Sequence, residues 1–225
     1  FKRPEGEFDR AAYLRDTYGV EVEEGDVLCG IAARLTAVKD IATTVRGFAA
    51  ALEEAPQLRL FIAGDGEDEE MLRRLCAQLG VAERVTFCGW VSPVGPFFRA
   101  MDINLLSSVS ETFPYSILEG VCAGCATICS DVGGMPELID TGENGYIFPV
   151  GDDRQLARYM ARLANDPALR CAFSEALYDK ASREFSRENM CARQEANYRH
   201  LLARFHRPKH ERESIVICGA YGRGN

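Results

Sequence analysis

The chain has 225 residues and a mass of 24.9 kDa, with 47% hydrophobic and 27% charged residues, a composition typical of a globular protein with a sizeable core. The formal net charge of −8 excludes a basic surface of the kind that binds DNA or RNA, so nucleic acid is not expected as a partner. No apolar run approaches the roughly 20 residues that span a bilayer.

Six short apolar runs predict buried strands, and amphipathic segments separate them. Asp40 is suited to cap a helix after the first strand, and Gly80 is suited to end a helix after the second. This alternation predicts an α/β fold, a Rossmann-like doubly wound parallel sheet with flanking helices. The predicted strands are Val27–Ala33, Leu58–Ala63, Val85–Cys88, Ile103–Leu106, Ala126–Cys129 and Gly145–Phe148.

The pattern after Asp152 is helical only and predicts a C-terminal helical extension. A break at Asn165–Pro167 separates its first two helices, and Ser186 is suited to cap a third. The third helix carries more apolar residues than one face of a covered sheet needs, so part of it is expected to pack elsewhere. We predict one domain over residues 1–206, a linker at 207–213 and the truncated start of a further domain at 214–225.

Nine cysteines lie mostly in predicted strands and helices, and their odd number indicates free thiols of a reducing cytoplasm. Cys122, Cys125 and Cys129 have spacing that a metal or iron–sulfur site could use. However, no fourth ligand lies nearby, and the three histidines are far downstream. We interpret the cluster as a helix packing on the next strand.

Residues 107–119 follow a predicted strand and therefore lie at its carboxyl end, where open α/β sheets bind ligands. Pro114 fits the first turn of a helix, which would leave backbone N–H groups free to hold an anion. Glu111 lies in the preceding loop and Glu119 about one turn inside the helix, among apolar neighbours. An ionised carboxylate there is costly without a partner or ligand, although a surface glutamate is the alternative interpretation.

Two cations follow the first predicted strand at the same edge of the sheet. Arg34 can act as a planar fork and Lys39 as a compact charge, a combination suited to a diphosphate. A predicted turn at Gly133–Gly134 follows a later strand, and we interpret Gly64–Gly66 as a turn in preference to a phosphate loop. Together these residues predict a site with an anion-binding part and a hydroxyl-binding part.

Six motifs occur in order along the chain: R-L-x3-K-D, L-F-I-A-G-D-G, R-V-T-F-C-G-W-V, E-x7-E, D-V-G-G-M-P-E-L-I and G-E-N-G-Y-I-F-P-V-G-D. Their order and spacing resemble those of the family 4 retaining glycosyltransferases. Over about residues 1–205 the chain resembles the second, nucleotide-sugar-binding domain of this family, which has the GT-B fold. The resemblance implies an enzyme that transfers a sugar from a nucleoside-diphosphate sugar to a glycan or lipid-linked acceptor in cell-surface polysaccharide synthesis.

The resemblance also implies roles for particular residues. Arg34 and Lys39 would neutralise the donor diphosphate as it leaves, Glu111 would hold the donor sugar and Glu119 would accept hydrogen bonds from the ribose. No metal or other cofactor is implied. The remaining donor-binding positions would be the backbone of Thr112, Phe113, Pro114 and Tyr115, which meets sugar and phosphate, and the stretch from Phe87 to Gly89, which lies near the base.

The sequence departs from the family pattern at Thr112 and Pro114, where glycines are common, and at Gly120, where alanine is usual. These departures leave the sugar's identity open.

The ends of the chain carry two further resemblances. Residues 1–4 resemble the end of the family's interdomain linker, so we expect the acceptor-binding first domain to be missing and the chain alone to be inactive. The eleven residues I-V-I-C-G-A-Y-G-R-G-N resemble the opening of polysaccharide pyruvyl transferases. The whole polypeptide would then be cytoplasmic, or peripheral at the inner membrane face with a membrane-associated acceptor.

Two other functions are alternatives to this one. A nucleotide-sugar-binding module without turnover is the alternative, and it would lack a facing domain with an acceptor site. A dinucleotide-binding oxidoreductase is disfavoured because no G-x-G-x-x-G motif follows the first strand.

Overall fold

A computed structural model describes residues 2–205, which form six strands and nine α-helices. Short 3-10 turns at Ala37–Lys39 and Ala82–Arg84 complete the secondary structure. The strands are β1 (Val27–Ala32), β2 (Leu58–Ala63), β3 (Val85–Gly89), β4 (Ile103–Leu106), β5 (Ala126–Ser130) and β6 (Tyr146–Phe148). The helices are α1 (Arg10–Tyr18), α2 (Ile41–Ala51), α3 (Glu69–Gln78), α4 (Gly95–Ala100), α5 (Tyr115–Ala123), α6 (Met135–Leu138), α7 (Asp153–Asn165), α8 (Pro167–Glu184) and α9 (Arg187–Phe205).

The six strands form one parallel sheet in the order β3-β2-β1-β4-β5-β6. The predicted doubly wound α/β sheet is therefore confirmed, and each strand ends within one residue of its predicted bounds. The chain builds outward from β1 in one direction through β3 and then returns to add β4 on the other side. This reversal creates a switch point between β1 and β4, where sheets of this kind bind ligands at the carboxyl edge.

Apolar side chains that alternate along the strands fill both faces of the sheet, because successive strand residues point to opposite sides. Cys29 and Ile31 contribute to a core with residues of α2 and α7 on one face. Leu28 and Phe61 contribute to a second core with residues of α1 and α4 on the other. Both faces are thus closed by helices, and the edge formed by the carboxyl ends of the strands remains for a site.

The predicted helix boundaries in the C-terminal part are confirmed. Helix α7 ends at Asn165 and α8 begins at Pro167. The hydroxyl of Ser186 accepts a hydrogen bond from the Asn189 N–H at 3.2 Å, as expected of the cap that precedes α9. No residue of α9 is buried within the described chain.

The described chain divides into one compact unit that ends at Glu184 and a second unit to which α9 belongs. The predicted linker at 207–213 and the predicted start of a further domain at 214–225 lie outside the described residues. None of the helices within residues 2–205 is long and apolar enough to cross a membrane.

The cysteines of the described chain are free thiols. Cys125 is buried, and its thiol donates to the carbonyl of Phe98 at 3.2 Å, while Cys129 lies buried in β5. No group of three or more His, Cys, Asp or Glu side chains within residues 2–205 is placed to hold a metal ion. The interpretation of this cluster as helix-to-strand packing therefore agrees with its surroundings.

Candidate functional site

An open cleft of about 440 Å³ lies at the carboxyl edge of the sheet, around the switch point between β1 and β4. It brings together Arg34, Lys39, Glu111 and Glu119, which come from two separate parts of the sequence. The other residues that line it are Ala32, Ala33, Ala63, Gly64, Trp90, Val91, Val94, Phe113, Pro114, Tyr115 and Ser116.

The loop that carries Arg34 is held against the loop after β2 by backbone hydrogen bonds. The Ala33 N–H donates to the Ala63 carbonyl at 3.0 Å, and the Leu35 N–H donates to the Asp65 carbonyl at 2.7 Å. Gly64 has a φ of +137°, and a Cβ placed there would lie 1.9 Å from the Ala33 oxygen, so only glycine permits this contact. The glycines around Asp65 thus bring two loops together and fix the backbone beside Arg34.

Arg34 itself is exposed, and its guanidinium makes no hydrogen bond or ion pair within residues 2–205. It therefore presents a full positive charge and a fork of donors to the cleft.

Lys39 lies in a turn that is anchored by the residue directly after β4. The hydroxyl of Ser107, directly after β4, lies 3.0 Å from the Lys39 carbonyl and 2.8 Å from the Asp40 carbonyl. The same hydroxyl accepts a hydrogen bond from Thr44 at 2.9 Å. Asp40 has a φ of +42°, the only positive φ among the described non-glycine residues, and its carboxylate accepts from the Thr43 N–H as the predicted cap of α2.

The ammonium of Lys39 forms an ion pair with Glu111, with 2.5 Å between Nζ and Oε1. The hydroxyl of Ser108 donates to the same Oε1 at 2.7 Å. The side chains of Lys39 and Glu111 are only 26% and 12% exposed. The pair is thus largely shielded from water, so its interaction is stronger than that of a surface pair.

The first turn of helix α5 borders the cleft, and its residues Tyr115 and Ser116 line the cleft. The prediction that Pro114 lies within this turn is wrong by one residue: its extended backbone, with ψ of 125°, makes it the residue that precedes the helix. The unpaired N–H groups and the dipole of a helix N-terminus favour an anion at this position.

Glu119 lies in the second turn of α5 and also lines the cleft. Its carboxyl makes no hydrogen bond or ion pair within the described chain. Partial burial raises the pKa of Glu119 above its ordinary value. Because this carboxylate has no partner among the described residues and faces the cleft, it is suited to accept hydrogen bonds from a ligand.

The predicted turn at Gly133–Gly134 supports the Glu111 loop from behind without lining the cleft. The Gly134 N–H donates to the Thr112 carbonyl at 2.9 Å. A Cβ on Gly133, whose φ is +53°, would lie 2.3 Å from the Glu111 carbonyl oxygen. These two glycines therefore let the loop between β4 and α5 lie directly on the chain after β5.

The other residues singled out from the sequence are not all in the cleft. Phe113, Pro114 and Tyr115 line it, whereas Thr112, Phe87 and Gly89 do not. The ring of Phe87 is covered by the guanidinium of Arg73 and packs against the core below α3.

Trp90, Val91 and Val94 form one wall of the cleft, directly downstream of the stretch from Phe87 to Gly89, and were not predicted from the sequence. An aromatic side chain directly after a strand was the available signal. Trp90 is 74% exposed.

Comparison with known proteins identifies the family to which the chain belongs. Residues 19–180 match the family model for glycosyl transferases group 1. The lipopolysaccharide core biosynthesis glycosyltransferase LpsE of Rhizobium meliloti is 33% identical over 138 residues, which cover 61% of this chain and 41% of LpsE. The chain spans less than half of the length of the first curated relatives that it matches.

Solved structures share the fold. HepE of Anabaena in complex with UDP-glucose superposes with a TM-score of 0.73 at 23% identity, covering 84% of this chain and 52% of HepE. The C-terminal domain of the glycosyl transferase group 1 family protein LpcC of Francisella tularensis gives a TM-score of 0.72 at 23% identity, covering 83% of this chain and 96% of that domain. The sheet is therefore that of GT-B glycosyltransferases, and the chain belongs to the glycosyl transferases group 1 family.

Proposed function

We propose that this chain is the donor-binding domain of a family 4 retaining hexosyltransferase and that its cleft binds a nucleoside-diphosphate sugar. One observation carries the proposal. One cleft at the switch point of the sheet is lined by the Lys39–Glu111 pair, by the N-terminus of α5, and by Arg34 and Glu119, which have no side-chain partner within residues 2–205. This combination provides cations and a helix N-terminus for a diphosphate beside carboxylates for hydroxyl groups.

The cationic part of the cleft would act on the leaving group. Cleavage of the bond between sugar and phosphate increases the negative charge on the diphosphate. Arg34, Lys39 and the first turn of α5 would stabilise that charge by donating hydrogen bonds to it.

The carboxylates would orient the rest of the donor. Glu119, one turn inside α5, would accept hydrogen bonds from the ribose hydroxyls. Glu111, in the loop ahead of α5, would hold the sugar. Trp90 and its neighbours would form the wall beside the base, in the place that the sequence assigned to Phe87 and Gly89.

The relatives support the wider role. LpsE acts in lipopolysaccharide core biosynthesis, and the solved HepE structure holds UDP-glucose. Because the match covers less than half of each of these relatives, we propose that another part of the same polypeptide supplies the acceptor site, for a glycan or a membrane-associated, lipid-linked acceptor. Transfer would take place in the cytoplasm or at the inner membrane face.

A thermal-shift screen tests donor binding and identifies the base. The chain would be heated with UDP-glucose, GDP-mannose and ADP-glucose, and with each nucleoside diphosphate alone. A ligand at a hundredfold excess over its Kd adds about 2.7 kcal/mol to the free energy of unfolding. For a domain of this size that raises Tm by roughly 5–10 °C. An unchanged Tm with every nucleotide at millimolar concentration would contradict the proposal.

A further inference from the structure

The Lys39–Glu111 ion pair joins the two groups that the proposed donor needs separately. The donor's diphosphate requires the cation, and the donor's sugar requires the carboxylate. In the structure each side chain is instead the other's partner, at 2.5 Å. A ligand that binds Lys39 therefore competes with Glu111 for the ammonium.

The pair is held in place by buried neighbours. Oε1 of Glu111 accepts from both Lys39 and Ser108, and Oε2 makes no hydrogen bond or ion pair with a side chain within residues 2–205. Ser108 is fully buried, and its carbonyl accepts from the Ser130 hydroxyl at 2.7 Å. Glu111 is therefore fixed in one place and cannot follow Lys39 freely toward a diphosphate. Oε2 remains available to a hydroxyl group.

We propose that this ion pair makes the site discriminate against the spent nucleoside diphosphate in favour of the intact nucleotide sugar, an inference that rests on the proposed function. A nucleoside diphosphate draws Lys39 toward itself and leaves the mostly buried Glu111 carboxylate without its cation, which is costly. The diphosphate of a nucleotide sugar also attracts Lys39 away from Glu111, but the sugar hydroxyls then donate hydrogen bonds to Glu111 and compensate for the lost ion pair. After transfer the sugar is gone, so re-formation of the pair favours release of the product.

Glu111→Gln separates these contributions. Glutamine keeps an acceptor for Ser108 and the shape of the side chain, but it removes the charge that holds Lys39. The chain has a single tryptophan, Trp90, which lines the cleft, so its fluorescence can report titrations with UDP and UDP-glucose, or with the pair of ligands that the thermal screen selects. We expect UDP to bind Glu111→Gln about three- to tenfold more tightly than wild type. UDP-glucose should gain nothing, so the preference for the sugar nucleotide should fall.

A double-mutant cycle identifies the cause. Lys39→Met keeps the aliphatic stem and removes the ammonium, and Glu111→Gln should then leave UDP affinity unchanged. Glu143→Gln removes one exposed carboxylate outside the cleft and should leave UDP affinity at the wild-type value.

The Ser108 variants test the anchoring of Glu111. Ser108→Ala should loosen Glu111 and reduce the preference for UDP-glucose over UDP, and Ser108→Thr should restore that preference. Ser110→Ala, at an exposed position, should behave as wild type. Thermal unfolding of each variant confirms that it is folded.

Three results would overturn the inference while leaving the proposed function standing. They are UDP affinity that is unchanged or weaker in Glu111→Gln, the same gain in the Lys39→Met background, and an equal gain for Glu143→Gln. A wild-type chain that binds no nucleotide would instead overturn the proposed function, and the inference with it.

Discussion

Arg34 and Lys39 differ in what they give up to bind an anion. Arg34 has no partner within residues 2–205, whereas Lys39 must leave Glu111. We therefore predict that Arg34→Ala weakens binding of a nucleoside diphosphate more than Lys39→Met does. Loss of charge-assisted hydrogen bonds, about 1.5–3 kcal/mol, corresponds to roughly 10- to 150-fold for Arg34. Calorimetric titration of both variants measures this order, and a larger loss for Lys39→Met would show that the pair does not restrain the lysine.

We predict that the ionised carboxylate of Glu119 lowers the stability of the fold and strengthens nucleotide binding. The ionised carboxylate is the form that burial disfavours, so wild type loses stability relative to Glu119→Gln as pH rises through the raised pKa of Glu119. At pH 7 the Gln variant should have the higher Tm, by less than about 3 °C because the group is partly exposed. Below the ordinary value of 4.5 the difference should vanish.

The same substitution should weaken nucleotide binding about tenfold, because a neutral amide accepts weaker hydrogen bonds from the ribose than a carboxylate does. Calorimetry at pH 7 measures the loss, and unfolding curves at pH 7 and pH 4 measure the stability change. A variant that binds as tightly as wild type would remove Glu119 from the ribose site.

At the scale of elements, α5 is attached to β4 through a buried polar contact. Asn104, fully buried in β4, donates from Nδ2 to the Ser116 carbonyl in the first turn of α5 at 3.0 Å. A Cβ on Gly120 would lie 2.2 Å from this Nδ2. The glycine at a position where the family usually has alanine is therefore matched to the asparagine beneath it, and both position the helix that lines the cleft.

We predict that Gly120→Ala lowers or raises the free energy of unfolding according to which residue occupies position 104. In wild type the added methyl group overpacks against Asn104 and should destabilise the chain by about 1–3 kcal/mol. In an Asn104→Ala background the space is open, and the better helix propensity of alanine should stabilise by roughly 0.5–1 kcal/mol. Chemical denaturation of wild type, the two single variants and the double variant measures the free energy of unfolding of each protein. The same effect of Gly120→Ala in both backgrounds would show that the two residues are not coupled.

The loop contact at Gly64 is predicted to control the Arg34 loop. Gly64→Ala places a methyl group against the Ala33 carbonyl at a φ that alanine rarely adopts, so the loops must separate. We expect a loss of stability of about 1–3 kcal/mol and at least tenfold weaker binding of a nucleoside diphosphate. Gly142→Ala is the matched control: this glycine also has a positive φ, but nothing lies near its Cβ, so it should lose stability and keep its affinity.

The long elements could be predicted from sequence because their apolar periodicity is strong, as the match of β2 and β4 to their predicted bounds illustrates. Three helices were not predicted. Helix α1 has a single buried residue, Leu14, and α4 and α6 have six and four residues, so no apolar stripe develops. Their existence depends on packing against other elements of the fold rather than on local pattern.

At the scale of the whole molecule, the site depends on strand order. Glu111 lies 72 residues after Lys39, and the two meet because β4 pairs with β1. The sequence indicated that both lie at the carboxyl edge of the sheet, but a pattern of alternating strands and helices does not specify which strands are neighbours. The ion pair and its anchoring by Ser107 and Ser108 therefore emerged only from the three-dimensional arrangement.

The most direct test of the central claim is a crystal structure of this chain grown with UDP-glucose, or with the donor that gives the largest thermal shift. The account predicts the diphosphate within hydrogen-bond distance of Arg34 and Lys39 at the N-terminus of α5, with the ribose hydroxyls on Glu119 and the sugar toward Glu111. A nucleotide sugar bound elsewhere, or in the cleft with its diphosphate away from both cations, would contradict it.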